Sequence, residues 1–96
     1  MINMIKSTTG KTIKKLIQGG SPKGFPADVV KRAERKIAQI DAAQKLEDLT
    51  APPSNNLELL VGKRKGQHSI RITKQWRICF RWEDGDAHEV EVVDYH

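Results

Sequence analysis

The consecutive residues Asp94, Tyr95 and His96 place a carboxylate, a phenol and an imidazole side by side. All three groups can take part in proton transfer. The segment before them carries Arg77 and Arg71, whose guanidinium groups bind oxyanions through paired hydrogen bonds. Cleavage of RNA through its 2′-hydroxyl requires a proton acceptor, a cation on the phosphate and an acid for the leaving oxygen. The chain contains all three kinds of group.

The same residues also have structural interpretations. Arg77 could be held by Glu91 in a cross-strand pair contributing about 0.2–1 kcal/mol, and Tyr95 could cover the edge of a small core. His68 and His88 fall on core-facing positions of their strands, which favours structural roles. The aromatic residues Trp76 and Trp82 are expected to pack and not to stack on bases.

The charge distribution favours a polyanionic partner. The chain has 17 Lys and Arg against 12 Asp and Glu, a formal charge of +5, and its pI is about 9.6. Seven basic side chains and one acidic side chain lie in residues 51–82, whereas residues 83–96 hold six acidic and no basic ones. Neutralising phosphates releases condensed counterions, so nucleic acid is the leading partner. Further candidate phosphate contacts are Lys63, Arg64, Lys65 and Arg81, although the first three could form only a solvated loop.

The size and composition exclude a large multi-domain enzyme. With 96 residues, the chain is expected to form a single domain over residues 1–96. No apolar stretch is long enough to span a membrane, and the first residues lack a secretory signal. The lone Cys79 fits a reducing compartment, and no Cys-His zinc spacing occurs. We therefore expect a cytoplasmic protein without membrane association, metal site or cofactor.

Apolar spacing predicts two helices in the first half of the chain. Ile13, Leu16 and Ile17 mark one face of a short helix that ends at Gly19-Gly20. A longer helix is predicted over residues 28–44, with a core stripe that repeats at helical spacing. The members of this stripe are Val30, Ala33, Ile37 and Ile40.

Alternating apolar residues predict strands in the second half, and residues 4–7 are expected to join them as an edge strand. Residues 57–61 are also strand-like. For the last hairpin we predict a three-residue loop, 83–85, because a two-residue turn would turn two glutamates into the core. This register pairs Phe80 with His88, Ile78 with Val90 and Arg77 with Glu91. The predicted fold class is α+β, with two N-terminal helices packed on a small antiparallel-dominated sheet whose other face is Arg-rich.

Four motifs together resemble the HigB group of the RelE superfamily. They are Gly66-Gln-His-Ser-Ile-Arg-Ile72, Gln75-Trp-Arg-Ile-Cys-Phe-Arg-Trp82, Asp84-Gly-Asp86 and Asp94-Tyr-His96. Members of this group are toxins of type II toxin–antitoxin pairs, also called plasmid maintenance killer proteins. Among these toxins the chain resembles the GraT-like members, and the likeness covers nearly the whole chain.

The resemblance implies a RelE-like fold and a ribosome-dependent endonuclease that cuts mRNA in the decoding site without a metal. It assigns catalysis and substrate positioning to Asp94, Tyr95 and His96, and phosphate contact to Arg77 and Arg71. It further implies binding to the 70S ribosome and neutralisation by a HigA-type helix-turn-helix antitoxin. Operator DNA would be bound only through the antitoxin complex.

The chain departs from the family pattern at two positions. Several HigB proteins carry a catalytic His and Lys where this chain has Glu58 and Val61. Because neither residue can supply a cation to the phosphate, we expect a modest activity, with Lys63 or Lys65 as possible substitutes. The alternative is a non-catalytic module that holds RNA or an acidic partner on the same face. A free-standing nuclease acting on naked RNA is disfavoured.

Overall fold

The computed structural model describes residues 5–95, in which two helices precede a four-stranded sheet. All neighbouring strands are antiparallel and follow one another in chain order. The α+β class expected from the sequence is confirmed. The elements are α1 (Lys11–Ile17), α2 (Ala27–Ala42), β1 (Glu58–Leu59), β2 (His68–Arg71), β3 (Trp76–Glu83) and β4 (Asp86–Asp94).

Helix α1 contributes two fully buried side chains to the core, Ile13 and Leu16. It ends where Gly19 adopts a φ of +85° and donates a backbone hydrogen bond to the Leu16 carbonyl oxygen at 3.0 Å. A left-handed residue at this position favours glycine, as the sequence suggested. Ile17, however, is 50% exposed, so its predicted place in the core is wrong.

Helix α2 packs its predicted stripe against the sheet. Val30, Ala33 and Ile40 are buried, and Ile37 is partly buried against the same cluster. The helix ends at Ala42, two residues earlier than predicted. The core is continuous from both helices to the inner face of the strands, where its largest member is Phe80.

The connection between α2 and β1 is fixed by one fully buried amide. Asn55 donates from Nδ2 to the carbonyl oxygens of Leu49 and Ala51, at 3.1 and 3.2 Å, and to Gln39 Oε1 at 3.0 Å. Its Oδ1 accepts a short hydrogen bond from Lys36 Nζ. Burying an amide without partners would be costly, so this set of hydrogen bonds holds residues 50–56 against α2.

The turn of the last hairpin differs from the sequence prediction. Asp84 and Gly85 form a two-residue turn with φ values of +52° and +80°, which is the combination of a type I′ turn. Glu83 pairs with Asp86, and Trp82 with Ala87. The predicted three-residue loop is therefore wrong.

A β-bulge in β4 explains how the two-residue turn avoids burying glutamates. The register shifts by one residue between Cys79 and Arg81 of β3, and Glu89 in the bulge has a φ of +53°. The extra residue reverses the alternation, so Val90 points inward and is fully buried. Beyond the bulge Cys79 pairs with Glu91.

The two-residue turn and the bulge together change three predicted neighbours. His88 pairs with Arg81 on the outer face, so its expected core-facing position is wrong. Ile78 pairs with Val92 instead of Val90, and Arg77 pairs with Val93 instead of Glu91.

Residues 5–9 run along the outer edge of β4 and form isolated parallel bridges. Ile5 bridges to Ala87 and Thr8 bridges to Val90. The Val90 amide donates to the Ser7 carbonyl oxygen at 3.0 Å. The predicted edge segment is thus observed from Ile5 onward, whereas Met4 lies outside the described residues. Neither helix of the described chain has the length and apolar character needed to cross a membrane.

The outer face of the sheet is partly covered and not fully open. Cys79 and Ser69 on this face are fully buried. At the far edge, only Glu58 and Leu59 of the predicted strand over residues 57–61 pair with β2, so β1 is shorter than expected. A groove lies on this face beside β1.

Candidate active site

A groove of about 400 Å³ lies where β1, the β2–β3 turn and the residue after β4 meet. Its lining combines three cations, one carboxylate, one hydroxyl and one phenol. These residues are Arg71, Lys74, Arg77, Glu58, Thr73 and Tyr95. The groove thus contains three of the residues that the sequence predicted for the site: Arg71, Arg77 and Tyr95.

Arg77 is built into the wall of the groove and is only 7% exposed. Its Nε donates to Ser69 Oγ at 2.9 Å, and its Nη2 donates to the Asn56 carbonyl oxygen at 2.7 Å. The guanidinium carbon lies 5.9 Å from the centroid of the Tyr95 ring. A guanidinium fixed in this way presents its charge in one orientation, as recognition of a phosphate requires.

Arg71 lies directly opposite Arg77 in the β2–β3 ladder. Like charges in directly opposed positions repel each other. Within residues 5–95, no carboxylate forms an ion pair with either guanidinium. A bound anion would relieve this repulsion, so the pair is suited to a phosphate.

Tyr95 is positioned by the β2–β3 turn. Thr73 Oγ1 accepts hydrogen bonds from the Gln75 and Trp76 amides at 3.1 and 3.2 Å, which fixes the turn. The Gln75 carbonyl oxygen in turn accepts from the Tyr95 amide at 2.5 Å. The Tyr95 hydroxyl lies 3.9 Å from Cys79 Sγ.

Burial raises the pKa of the Tyr95 phenol, and the neighbouring Cys79 raises it further. The phenol therefore stays protonated at neutral pH and can donate a hydrogen bond. Burial likewise raises the pKa of the Cys79 thiol, which keeps that group in its less reactive protonated form.

The predicted Asp-Tyr-His segment is only partly described. Asp94 is exposed, pairs with Trp76 across the ladder and accepts from Gln75 Nε2 at 3.3 Å. It does not line the groove. His96, the predicted acid, lies outside the described residues.

The other predicted phosphate contacts lie outside the groove. Arg64 Nη1 is paired with Glu91 Oε1 at 3.0 Å, and Arg81 Nε with Glu89 Oε2 at 2.6 Å. The carboxylates of β4 thus hold two of the predicted cations. The remaining two, Lys63 and Lys65, are exposed on and after a short 3₁₀ turn.

Two groove residues were missed or assigned differently. Lys74 was not selected from the sequence, although its position in a turn between two Arg-bearing strands was a usable signal. Glu58 was considered only as the replacement of a family histidine, yet its exposed carboxylate lines the groove. Val61, the other departure, is 84% exposed.

The residue types that line the groove suit acid–base chemistry on a phosphodiester. It offers cations for the non-bridging oxygens, a carboxylate as proton acceptor and a phenol as hydrogen-bond donor. Within residues 5–95, no three His, Cys, Asp or Glu side chains lie together so that they could hold a metal ion.

Comparisons with known proteins give consistent results. The family model for HigB-like toxins, described as the RelE-like toxin of type II toxin-antitoxin system HigB, matches residues 6–96. The "Endoribonuclease HigB" of Proteus vulgaris is 37% identical over 93 residues, which cover 97% of this chain and 100% of the relative. The "Toxin HigB-1" of Vibrio cholerae serotype O1 is 45% identical over 63 residues, 66% of each chain.

A solved structure supports the fold. One chain of the YoeB-YefM complex from Staphylococcus aureus superposes with a TM-score of 0.58 and covers 96% of this chain and 97% of its own length. The sequence identity is 16%, so this likeness concerns the fold alone.

Proposed function

This chain belongs to the family of HigB-like toxins, the RelE-like toxins of type II toxin–antitoxin systems, and from that membership we propose that it is an endoribonuclease. The proposed substrate is mRNA under translation, cut in the ribosomal A site, so that translation and growth are inhibited. The relative from Proteus vulgaris, which matches over its whole length, carries the name of an endoribonuclease. In this proposal, residues 1–96 form the single domain that carries the activity.

The observation that best supports this function is the pair of opposed guanidinium groups, Arg71 and Arg77, in one groove with the Glu58 carboxylate. Two guanidinium groups stabilise the additional negative charge that develops on a phosphate during in-line attack. A carboxylate in the same groove can accept the proton of the attacking hydroxyl. The Arg71 guanidinium forms no ion pair within residues 5–95, so the stability of the sheet does not explain its position.

In the proposed reaction, Glu58 accepts the proton of the 2′-hydroxyl, and the resulting oxygen attacks the adjacent phosphorus. The bond from phosphorus to the 5′-oxygen breaks, and a proton donor neutralises the leaving oxygen. The products are a 2′,3′-cyclic phosphate and a 5′-hydroxyl. We assign the donor role to His96 as an imidazolium, and we assign Tyr95 to hydrogen bonding or base stacking beside the phosphate. Asp94 would orient this segment, and no metal takes part.

Lys74 is our candidate for the cation that the family has near Val61. It lines the groove together with both arginines, whereas Lys63 and Lys65 do not. A Lys74→Gln variant should therefore reduce cleavage by about tenfold or more, since an oriented cation stabilises the transition state. The Lys63→Gln/Lys65→Gln double variant should cleave at the rate of the unmodified protein; the opposite order of effects would refute this assignment.

The proposed partners follow from the family. Members of a toxin–antitoxin family act with an antitoxin, and we propose a HigA-type helix-turn-helix protein for this chain. The ribosome would supply the geometry of the message, because the acid–base groups of the groove are few. Operator DNA would be bound through the antitoxin complex.

The test is primer extension on an mRNA translated in a reconstituted bacterial system. We expect ribosome-dependent cuts with the unmodified protein, and a decrease of about 10²–10⁴-fold with Glu58→Gln or His96→Ala. Glu83→Gln, at the end of β3 and outside the groove, is the matched carboxylate control and should retain full cleavage. Equal cutting of protein-free RNA would refute ribosome dependence.

The alternative function is a non-catalytic module that binds RNA or an acidic partner. The exposed apolar side chain of Val61, where the family has a lysine, favours this alternative. An intact message at high concentrations of the unmodified protein, together with retained RNA binding, would support the module and refute the nuclease.

A further inference from the structure

A second, larger cleft of about 940 Å³ lies between α2 and the β2–β3 turn. Its charged lining residues are all cations, and no aspartate or glutamate lines it. Three of the cations come from α2 and two from the strand and turn beyond. They are Arg32, Arg35, Lys36, Arg71 and Lys74.

The α2 cations form one face of the helix. Arg32, Arg35 and Lys36 are spaced at i, i+3 and i+4, which places their side chains next to one another. Like charges at this spacing destabilise a helix by a few tenths of a kcal/mol, so packing alone does not explain the cluster. Within the described residues, Arg32 and Arg35 form no salt bridge.

The positive charges that line the cleft affect the pKa of one of its lysines. Burial lowers the pKa of Lys36, and the charge of Arg32 lowers it further. Lys36 Nζ donates a hydrogen bond to the buried Asn55, so its ammonium group links α2 to the wall of the cleft formed by residues 50–56. The cleft therefore has a fixed wall and two further α2 cations, Arg32 and Arg35, at its rim.

The cleft is continuous with the candidate active site. Arg71, Thr73 and Lys74 line both the groove and the cleft. A flexible polyanion with one phosphate between Arg71 and Arg77 would reach the α2 cations with its neighbouring phosphates. Basic channels that follow a nucleic-acid backbone have this arrangement.

We propose that the cleft between α2 and the β2–β3 turn binds the phosphate backbone of RNA that extends from the active-site groove, with Arg32 and Arg35 as its contacts. The inference rests on the proposed function only in taking RNA as the polyanion. The α2 residues do not line the groove, so they bind substrate without taking part in proton transfer.

The test measures binding by fluorescence anisotropy, at several salt concentrations, to a single-stranded RNA of about 12 nucleotides. Every 2′-hydroxyl of the probe is methylated so that it cannot be cleaved. The Arg32→Gln/Arg35→Gln double variant is compared with Lys14→Gln/Lys31→Gln, which removes the same charge from exposed helix positions outside both clefts. A duplex RNA of equal charge serves as the second probe. A polyglutamate peptide serves as the competitor.

We expect the Arg32/Arg35 variant to bind about tenfold more weakly at low salt, and its salt dependence to decrease by about 1.4 in the log–log slope, the value for two lost single-strand contacts. The control should change little. A loss confined to the single strand would identify the message as the bound RNA, whereas a loss confined to the duplex would point to a ribosomal RNA helix and overturn the proposal.

Equal losses in the two double variants, unchanged binding in both, or displacement of RNA by polyglutamate at equal charge would overturn the proposal. Because the probe cannot be cut, this result is independent of catalysis. If the unmodified protein left messages intact while the Arg32/Arg35 variant lost RNA binding, the proposed function would fail and the RNA-binding cleft would stand.

Discussion

Arg71 and Arg77 are cross-strand neighbours on the outer face of the sheet, but only Arg77 is anchored by hydrogen bonds. Arg71 forms no hydrogen bond or ion pair within the described residues. Arg77 is therefore part of the fold, whereas Arg71 adds a positive charge that lowers the stability of the fold. This difference allows the structural and functional roles of the two residues to be separated by mutation.

Arg71→Glu should make the fold more stable and the protein inactive. The new carboxylate would face the Arg77 guanidinium, and replacing a like-charge pair by an opposite-charge pair should raise the free energy of unfolding by about 0.5–1 kcal/mol. RNA cleavage should decrease at least about 10²-fold, because a phosphate cation is lost. Urea unfolding and the translation assay measure the two effects, with Arg71→Gln as the uncharged control. Lower stability in Arg71→Glu than in Arg71→Gln would contradict the proposed repulsion.

Arg77→Ala should have the opposite effect on stability. It leaves Ser69 Oγ and the Asn56 carbonyl oxygen without their donor, so the free energy of unfolding should decrease by about 2 kcal/mol. Arg71→Ala should stay within about 0.5 kcal/mol of the unmodified protein, as expected for a side chain with no partner within residues 5–95. Both values follow from urea unfolding. Similar losses in the two variants would show that Arg77 does not anchor the outer face.

Gly85→Ala tests the revised hairpin. The φ of +80° at Gly85 is unfavourable for an L side chain, so the variant should lose about 1–2 kcal/mol of stability. Asp84→Asn should be neutral or slightly stabilising, since Asn-Gly is the preferred sequence of a type I′ turn. Thermal or urea unfolding compares them. A neutral Gly85→Ala would argue for another turn.

His68 should make the fold sensitive to acid. Burial lowers the pKa of its imidazole, whose Nδ1 has no hydrogen-bond partner within the described residues. Above about pH 6.5 the imidazole is neutral in the folded and the unfolded chain, and there is no penalty. On acidification the unfolded chain binds the proton first, so stability is lost as the pH falls through the lower folded pKa.

The measurement compares urea unfolding of the unmodified protein and of His68→Phe at about pH 7.5 and about pH 5, on either side of the ordinary imidazole pKa. The stability difference between the two pH values should be smaller in His68→Phe, which cannot titrate. The same difference in both proteins would exclude His68 as the source of the acid sensitivity.

Much of the fold could be predicted because apolar spacing follows burial. Ile13, Leu16, Val30, Ala33 and Ile40 all occupy the core positions that helical periodicity assigns them. The same logic failed for the last hairpin. Strict alternation assumes an unbroken ladder, but Glu89 adopts a left-handed conformation that its residue type does not favour. One inserted residue then changed every pairing beyond it.

The site was predictable where residue type alone decides and less so where position decides. Arg71, Arg77 and Tyr95 were selected from the sequence because guanidinium and phenol groups suit phosphates and bases, and all three line the groove. Lys74 and Glu58 become groove residues only because the β2–β3 turn and the short strand β1 meet at the groove. Arg64 and Arg81 were selected for their charge, but their acidic partners on β4 depend on the register. The assignment of His96 stays a prediction.

The parallel bridges of residues 5–9 to β4 join the first described segment to a strand that is synthesised about 80 residues later. During translation, this segment has no strand to pair with until residues 86–94 have left the ribosome. Helix α1, which packs near the same strand, also lacks part of its core until then. The order of synthesis therefore keeps the nascent chain from completing its native sheet, and the groove can be assembled only when β4 is available.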